Sequence, residues 1–306
     1  MTLEQVKACV DLAFRCPGPQ VTLELVCGDA TASWPRIWFA VQYARRKGEW
    51  SRRPTFLFVR ARAMTPDQAE FLRGHGAGRR VELVLDGAPE LGRAPAFRAQ
   101  RALARLGPGA KDARGWARWF ERWGFESVLL LPDGGDADGS RAFHAFHAAF
   151  LDELLELGDE GRVRDEWAGA AFAGARFLPG ADLLERLAHD ASGRTFASEQ
   201  AALEPGGMSL GDTTSVRWQD LPGTEAVRAL VAASLPDNQP LCSQCAYRAF
   251  CAVPPSASRA AQGTLWGRLP DSPECALRMG VWDRIFGRLD DEKWLLLLDK
   301  WRVDMG

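Results

Sequence analysis

The sequence has no run of about 18 apolar residues, the length a helix needs to cross a bilayer, so no membrane span is expected. It has almost no net charge: 38 Lys and Arg stand against 40 Asp and Glu, a formal −2. That balance excludes a general nucleic-acid binder, whose affinity comes from concentrated positive charge. The first residues, MTLEQVKACVDLAF, carry acids and lack a basic stretch followed by an apolar one, so no secretory signal is expected. A cytoplasmic location and reduced thiols follow as expectations. There is no P-loop, no GxGxxG after a strand, no GxSxG, no HExxH and no solenoid-length repeat. What remains is a 306-residue chain, 46% hydrophobic and 25% charged, an ordinary globular composition for one large domain or two smaller ones.

Hydrophobic spacing predicts a helix over Leu3–Phe14, with Leu3, Val6, Val10 and Phe14 on one face. Pro17, Gly18 and Pro19 break it. Val21–Val26 alternates and reads as a strand. A helix is predicted over Trp34–Arg46, with Ser33 as N-cap and Pro35 in the first turn. A strand over Phe56–Val59 follows, then a helix opened by Thr65-Pro66-Asp67 that stops at Gly74, then a strand over Val81–Leu85. Residues 94–106 and 113–123 are predicted helical, Ser127–Leu131 a strand and Arg141–Leu157 a long helix. Such alternation indicates βαβ units and a mostly parallel sheet.

Three strands end in polar or glycine-containing turns: Cys27-Gly28-Asp29, Asp86-Gly87 and Asp133-Gly134. Ligands on such sheets gather at the carboxyl ends of strands, so these turns are the candidate rim, although Asp-Gly is also plain turn chemistry. From about residue 190 the character changes. Asp190–Phe196 resembles a hairpin, 203–215 is rich in Gly, Ser and Thr, and 215–233 is helical in part. Two amphipathic helices, Cys275–Leu289 and Glu292–Arg302, close the chain.

Several titratable residues read as structural. His144 and His147 share a helix face, with no acidic pair of matching geometry nearby, and read as a packed or solvated face. His75 and His189 sit near predicted helix ends, where cationic or capping roles are common. Asp11, Asp152, Glu153 and Glu156 read as solvated helix exteriors. The twelve Trp, among them Trp116, Trp119, Trp123, Trp294 and Trp301, read as core or interface.

The seven cysteines carry the strongest signal. An odd count in a chain of cytosolic type argues against a disulfide framework. Cys242, Cys245, Cys251 and Cys275 fall within 34 residues in the pattern C-x2-C-x5-C-x23-C. Two cysteines three apart can aim both sulfurs at one point from a tight turn, and two more can close the site. Four thiolates suit tetrahedral zinc or an iron–sulfur cluster. One pair plus two singles, rather than two C-x2-C pairs, leans toward a cluster.

This segment resembles the C-terminal SPASM-type region of radical SAM peptide maturases, closest to the maturase of the His-Xaa-Ser peptide-modification system. The resemblance lies in LCSQCAYRAFCAVPP, AAQGTLWGRLPDSPEC and ALRMGVWDRIFGRL: the cysteine spacing, the aromatic after Cys245, Pro254, the Gly263–Gly267 turn and a last cysteine leading into a helix. Upstream, VTLELVCGDATASWPRIWFAVQYA is similar to the family's strand ending in Gly-Gly-Glu-Pro, with Cys27-Gly28-Asp29-Ala30 a degenerate version. VELVLDGAPELGRAPAFR resembles a later strand ending in Ser-Leu-Asp-Gly, with Asp86 and Gly87 retained, and SGRTFASEQ resembles the hairpin before the auxiliary cluster region.

The resemblance implies an α/β fold: an incomplete radical SAM-like parallel (β/α) barrel over 1–190 and a SPASM-like cluster domain over 191–306. It implies a [4Fe-4S] cluster on Cys242, Cys245, Cys251 and Cys275, with zinc the alternative. The departures matter as much. The family holds its S-adenosylmethionine cluster on C-x3-C-x2-C, whereas Cys9, Cys16 and Cys27 are separated by six and ten residues. The chain starts about where the helix after the first barrel strand is expected. No S-adenosylmethionine is therefore expected, nor any radical generation by the chain alone. Without a first strand, Val21–Val26 becomes an edge, a hazard proteins cover, unless a local segment fills the gap. The expectation is a non-catalytic accessory subunit whose partner is an active radical SAM maturase, in a heteromer that modifies a ribosomally made peptide. A module that binds the precursor peptide around a structural zinc is the alternative.

Overall fold

A computed structural model describes residues 1–74, 81–107, 109–133, 137–158, 161–172, 187–203, 207–251 and 255–303. His75, Gly134 and Pro254, singled out above, lie outside the described residues. The chain divides into two compact units. One comprises Met1–Leu23, Trp34–Phe56 and Ala175–Cys275; the other comprises Glu24–Ser33, Leu57–Gly174 and Ala276–Gly306.

Local capping fixes the first elements. α1 (Leu3–Arg15) opens on Thr2, whose hydroxyl accepts the Gln5 amide while the Gln5 side chain accepts the Thr2 amide. Its buried residues are Val6, Val10 and Leu12, while Leu3 is exposed. The stripe expected through Leu3 is thus rotated toward Leu12, which packs with Val216, Leu221 and Val227. Asp11, expected in solvent, is half-buried and accepts hydrogen bonds from Tyr43, Lys7 and Lys47. Burial works against its charge, yet these three donors hold its carboxyl down at about 2.

β1 runs Val21–Asp29 and α2 runs Ala30–Ser51. The Asp29 carboxylate accepts the Thr31 amide at 2.8 Å, so Asp29, not Ser33, caps the helix. The helix begins four residues earlier than expected and Pro35 lies inside it.

The unit containing Leu57–Gly174 is built on parallel strands: β2 (Thr55–Ala63), β3 (Val81–Asp86), β4 (Arg101–Leu106), β5 (Ser127–Pro132) and β6 (Arg164–Asp165). The sheet order is β1-β2-β3-β4-β5-β6, with β2 through β6 pairing in parallel. Sequential parallel order with right-handed crossovers puts every connection on one face, the arrangement of a barrel sector. β1 stands at one end of the order, the edge position expected of it.

The sheet's packed face is apolar. Val59, Ala61, Val81, Ala104, Val128 and Leu130 are all fully buried. α3 (Pro66–Leu72) starts as expected, at a Thr65–Gln68 capping box. α4 (Ala113–Arg122) and α5 (Ala137–Leu157) join through edge-on aromatic contacts of Trp116 with Phe146 and of Phe120 with Phe150. Glu153, expected in solvent, is buried and holds Arg118 at 2.5 Å. Asp152 pairs with Arg288 and Arg284, whereas Glu156 is exposed as expected.

The helix expected over 94–106 is not formed: 101–106 is the central strand β4. RALARL is made of good helix formers, but six residues flanked by two partner strands gain more from ladder pairing than from propensity. β6 and α6 (Glu166–Phe172) were not anticipated by the sequence pattern.

The other unit carries a three-stranded antiparallel sheet of β7 (Ala188–His189), β8 (Arg194–Phe196) and β9 (Ser209–Asp212). β7 and β8 form the expected hairpin, pairing Ala188 with Phe196 and His189 with Thr195. His189 is not cationic. Its Nδ1 lies 3.1 Å from the hydroxyls of both Thr195 and Thr213, and burial lowers its pKa to about 4. α7 (Glu199–Leu203), α8 (Glu225–Ser234) and α9 (Pro255–Gln262) follow, with Ala197, Leu230, Ala233 and Leu265 forming one small core. The closing helices are α10 (Pro273–Phe286) and α11 (Glu292–Val303), and Trp282, Trp294 and Trp301 are buried. No helix among the described residues is long and apolar enough to cross a membrane.

Candidate metal centre

The cysteine segment is shaped by tight turns. Leu241 adopts φ +67°, a left-handed conformation that costs a non-glycine residue about 1 kcal/mol or more. A 3-10 turn over Cys242–Gln244 follows, closed by the Cys245 amide donating to the Cys242 carbonyl at 3.1 Å. The Arg248 amide donates to the Cys245 carbonyl, and the Cys251 amide donates to the Tyr247 carbonyl at 2.9 Å. The Arg248 guanidinium ties the loop together, donating to the Ser243 carbonyl at 2.7 Å and to Asp237 at 3.1 Å. Cys275 sits in the first turn of α10, its amide donating to the Ser272 hydroxyl at 3.1 Å.

All four cysteines are half-buried and none is in a disulfide. Burial pushes the Cys242 thiol up, and the charges of Cys251 and Cys245 push it further. Those three sulfurs therefore share one electrostatic neighbourhood. Among the described residues, no group of three or more His, Cys, Asp or Glu side chains is drawn together tightly enough to hold a metal ion. By donor chemistry the residues fit a thiolate-ligated group. Thiolates that repel one another gain most from a multivalent cation, whose binding drives off their protons.

The other cysteines are placed differently. Cys9 lies on α1 with its thiol engaged by Thr213, and burial pushes it to about 11. Cys27 lies on β1, donates to the Arg60 carbonyl at 3.5 Å, and is pushed to about 11 by burial and by Asp29. Cys16 follows the end of α1. The raised thiols of Cys9 and Cys27, in separate local settings, are poor metal donors.

The helix face of His144 and His147 is packed rather than solvated. His144 Nε2 lies 2.9 Å from the Leu277 carbonyl. His147 Nε2 meets Asp165 Oδ2 at 3.1 Å with both side chains buried. Asp165 also caps α6 by accepting the Ala168 amide. This acidic partner was invisible in the sequence because it comes from the two-residue strand β6, 18 positions away.

No protein-family model and no characterised protein sequence matches the chain. Solved structures do. Native anSMEcpe with bound AdoMet is similar with a TM-score of 0.71 at 11% identity, over 96% of this chain and 89% of that one. Native anSMEcpe with bound AdoMet and Kp18Cys peptide gives 0.72 at 12%, over 96% and 91%. The form with Cp18Cys peptide gives 0.70 at 12%, over the same shares. At such identity the likeness shows the fold alone, an α/β fold of the radical SAM/SPASM type.

Proposed function

We propose that this chain is a catalytically degenerate member of the radical SAM family. In this reading it is a cytoplasmic accessory subunit that partners an active radical SAM maturase in modifying a ribosomally made peptide. Cys242, Cys245, Cys251 and Cys275 would hold an auxiliary [4Fe-4S] cluster. The observation that carries the reading is a contrast within one fold. Within a fold likeness covering 96% of the chain, four of the seven cysteines fall within 34 residues of sequence, and Cys242 feels the charges of Cys245 and Cys251. Cys9, Cys16 and Cys27 lack the spacing of a second site, and the thiols of Cys9 and Cys27 are raised in separate settings.

A fully thiolate-ligated cluster supplies a structural cross-link and a one-electron store, with no iron left open for a co-substrate. The chain's own residues prepare the place. Leu241 and the 3-10 turn bring Cys242 and Cys245 onto one short loop. Arg248 braces that loop through Asp237 and the Ser243 carbonyl. Half-burial limits water without closing the site.

Co-expression with a radical SAM maturase and anaerobic co-purification test the partnership. A stable heteromer is expected, together with no cleavage of S-adenosylmethionine by this chain alone. A chain that stays monomeric beside the maturase would overturn it. The second reading, a precursor-peptide module with a zinc staple, draws on the peptides bound to anSMEcpe. It predicts peptide capture in the absence of any maturase and zinc in place of iron.

A further inference from the structure

The parallel sheet has two unlike faces. Along β2, Leu57, Val59 and Ala61 are buried, while Phe58 and Arg60 between them are half-buried and Arg62 is exposed. Strand alternation therefore sends the arginines to the face opposite the apolar core. The register carries that second face across the sheet, pairing Arg60 with Glu82, Glu82 with Arg101, and Asp86 with Arg105.

Charges on this face form two tiers. Toward the amino ends, Arg60 lies 2.6 Å from Glu24 and also pairs with Glu82. Arg101 lies 3.8 Å from Glu82 and 3.3 Å from Glu166. Signs alternate here and each arginine meets two carboxylates, so this tier is electrostatically satisfied. Burial nonetheless raises the pKa of Glu82 against the pull of Arg60 and Arg101.

The tier at the carboxyl ends is different. Arg62 Nε lies 2.6 Å from Asp86 Oδ2, and Arg105 Nε lies 3.7 Å from Asp86 Oδ1. Two guanidiniums thus share one carboxylate. All three side chains are well exposed, at 58%, 44% and 42% for Arg62, Arg105 and Asp86. A guanidinium offers five N–H donors, and the Asp86 contacts use Nε of each arginine, leaving donor capacity on the forks. Beside this tier on the same face, Val84, Leu129 and Leu131 are half-buried and present an apolar floor.

We propose that Arg62 and Arg105, at the carboxyl ends of β2 and β4, form a recognition site for the carboxylate of an acidic peptide. An apolar neighbour in that peptide settles on Val84, Leu129 and Leu131. In this arrangement Asp86 is an internal competitor that preorganises the two arginines and yields to the incoming carboxylate. Recognition of the anion rests on the geometry alone. Its assignment to a peptide rests on the peptide-maturation reading above.

The test is fluorescence anisotropy on the full chain, with a dye-labelled hexapeptide carrying two Glu beside two Leu. Its Gln counterpart and free glutarate are the comparison ligands. The Glu peptide is expected to bind about tenfold tighter than the Gln peptide, the scale of one charge-assisted pair. The R62Q/R105Q double variant, changed only at exposed side chains, abolishes that preference while its thermal unfolding stays unchanged. D86N strengthens Glu-peptide binding several-fold, an increase that a merely structural Asp86 would not give. Equal binding of Glu and Gln peptides, or weakened binding by D86N, would overturn the site. Glutarate displacing the peptide at equal concentration would keep the anion site and overturn the peptide. Metal content and maturase co-purification are unaffected by either outcome, so this site and the accessory-subunit reading fail separately.

Discussion

The parallel sheet and the cysteine segment are held by different forces. In the sheet, long registers such as Arg101–Leu106 against Ser127–Pro132 lie on a continuous apolar face, with Ala104, Val128 and Leu130 fully buried. In the segment from Leu235 to Cys251, the order comes from short turns over Pro236–Asn238 and Cys242–Gln244, with neither turn capped by a side chain. Leu235, Leu241 and Phe250 are left exposed there. A stretch that buries so little cannot offset its conformational entropy by burial. The difference teaches that the segment depends on something other than a core, and its three thiols, with Cys275 beyond it, are the available means.

That contrast can be broken from either side. Trp116→Ala strikes the sheet's helical layer, where Trp116 meets Phe120 and Phe146. It is expected to lower the unfolding free energy by about 3–5 kcal/mol, read as a shifted urea midpoint, with metal per folded chain unchanged. Cys245→Ser strikes the other region. If the proposed metal centre staples the segment, trypsin cleavage at Arg248 should accelerate by about a hundredfold, while hydrogen exchange in β3–β5 stays unchanged. Equal acceleration in both regions would mean that they are one cooperative unit.

A smaller effect sharpens the comparison through pH. His189 ordinarily titrates near 6.5 but falls to about 4 in the fold. The unfolded chain therefore binds the proton first. Stability is full above about pH 6.5 and drains as pH falls through 4, by about 3 kcal/mol. His189→Gln should flatten that part of the urea-midpoint profile. The smallest change is Thr65→Ala, which removes the hydroxyl that accepts the Gln68 amide at 3.2 Å. It should cost about 1 kcal/mol and leave the cysteine segment untouched.

The legible parts of the sequence were those encoded locally. Thr65-Pro66-Asp67 specified α3, the alternation at Val21–Val26 specified β1, and the hairpin around Asp190–Phe196 formed as expected. The strand at Arg101–Leu106 was misread because its residues favour helix and only its neighbours make it a strand. The start of α2 was misread because a carboxylate at the end of a strand, Asp29, supplies the cap. For the candidate site, spacing alone singled out the four cysteines. The His147–Asp165 pair and the two-tier charge pattern needed tertiary register, which no local window contains.

The central claim concerns what the four thiols hold. Iron, acid-labile sulfide and zinc should be quantified on protein purified without oxygen, beside the Cys242→Ala/Cys245→Ala variant. About four iron and four sulfide per chain are expected, both lost in the variant. One zinc per chain with neither iron nor sulfide would contradict the account.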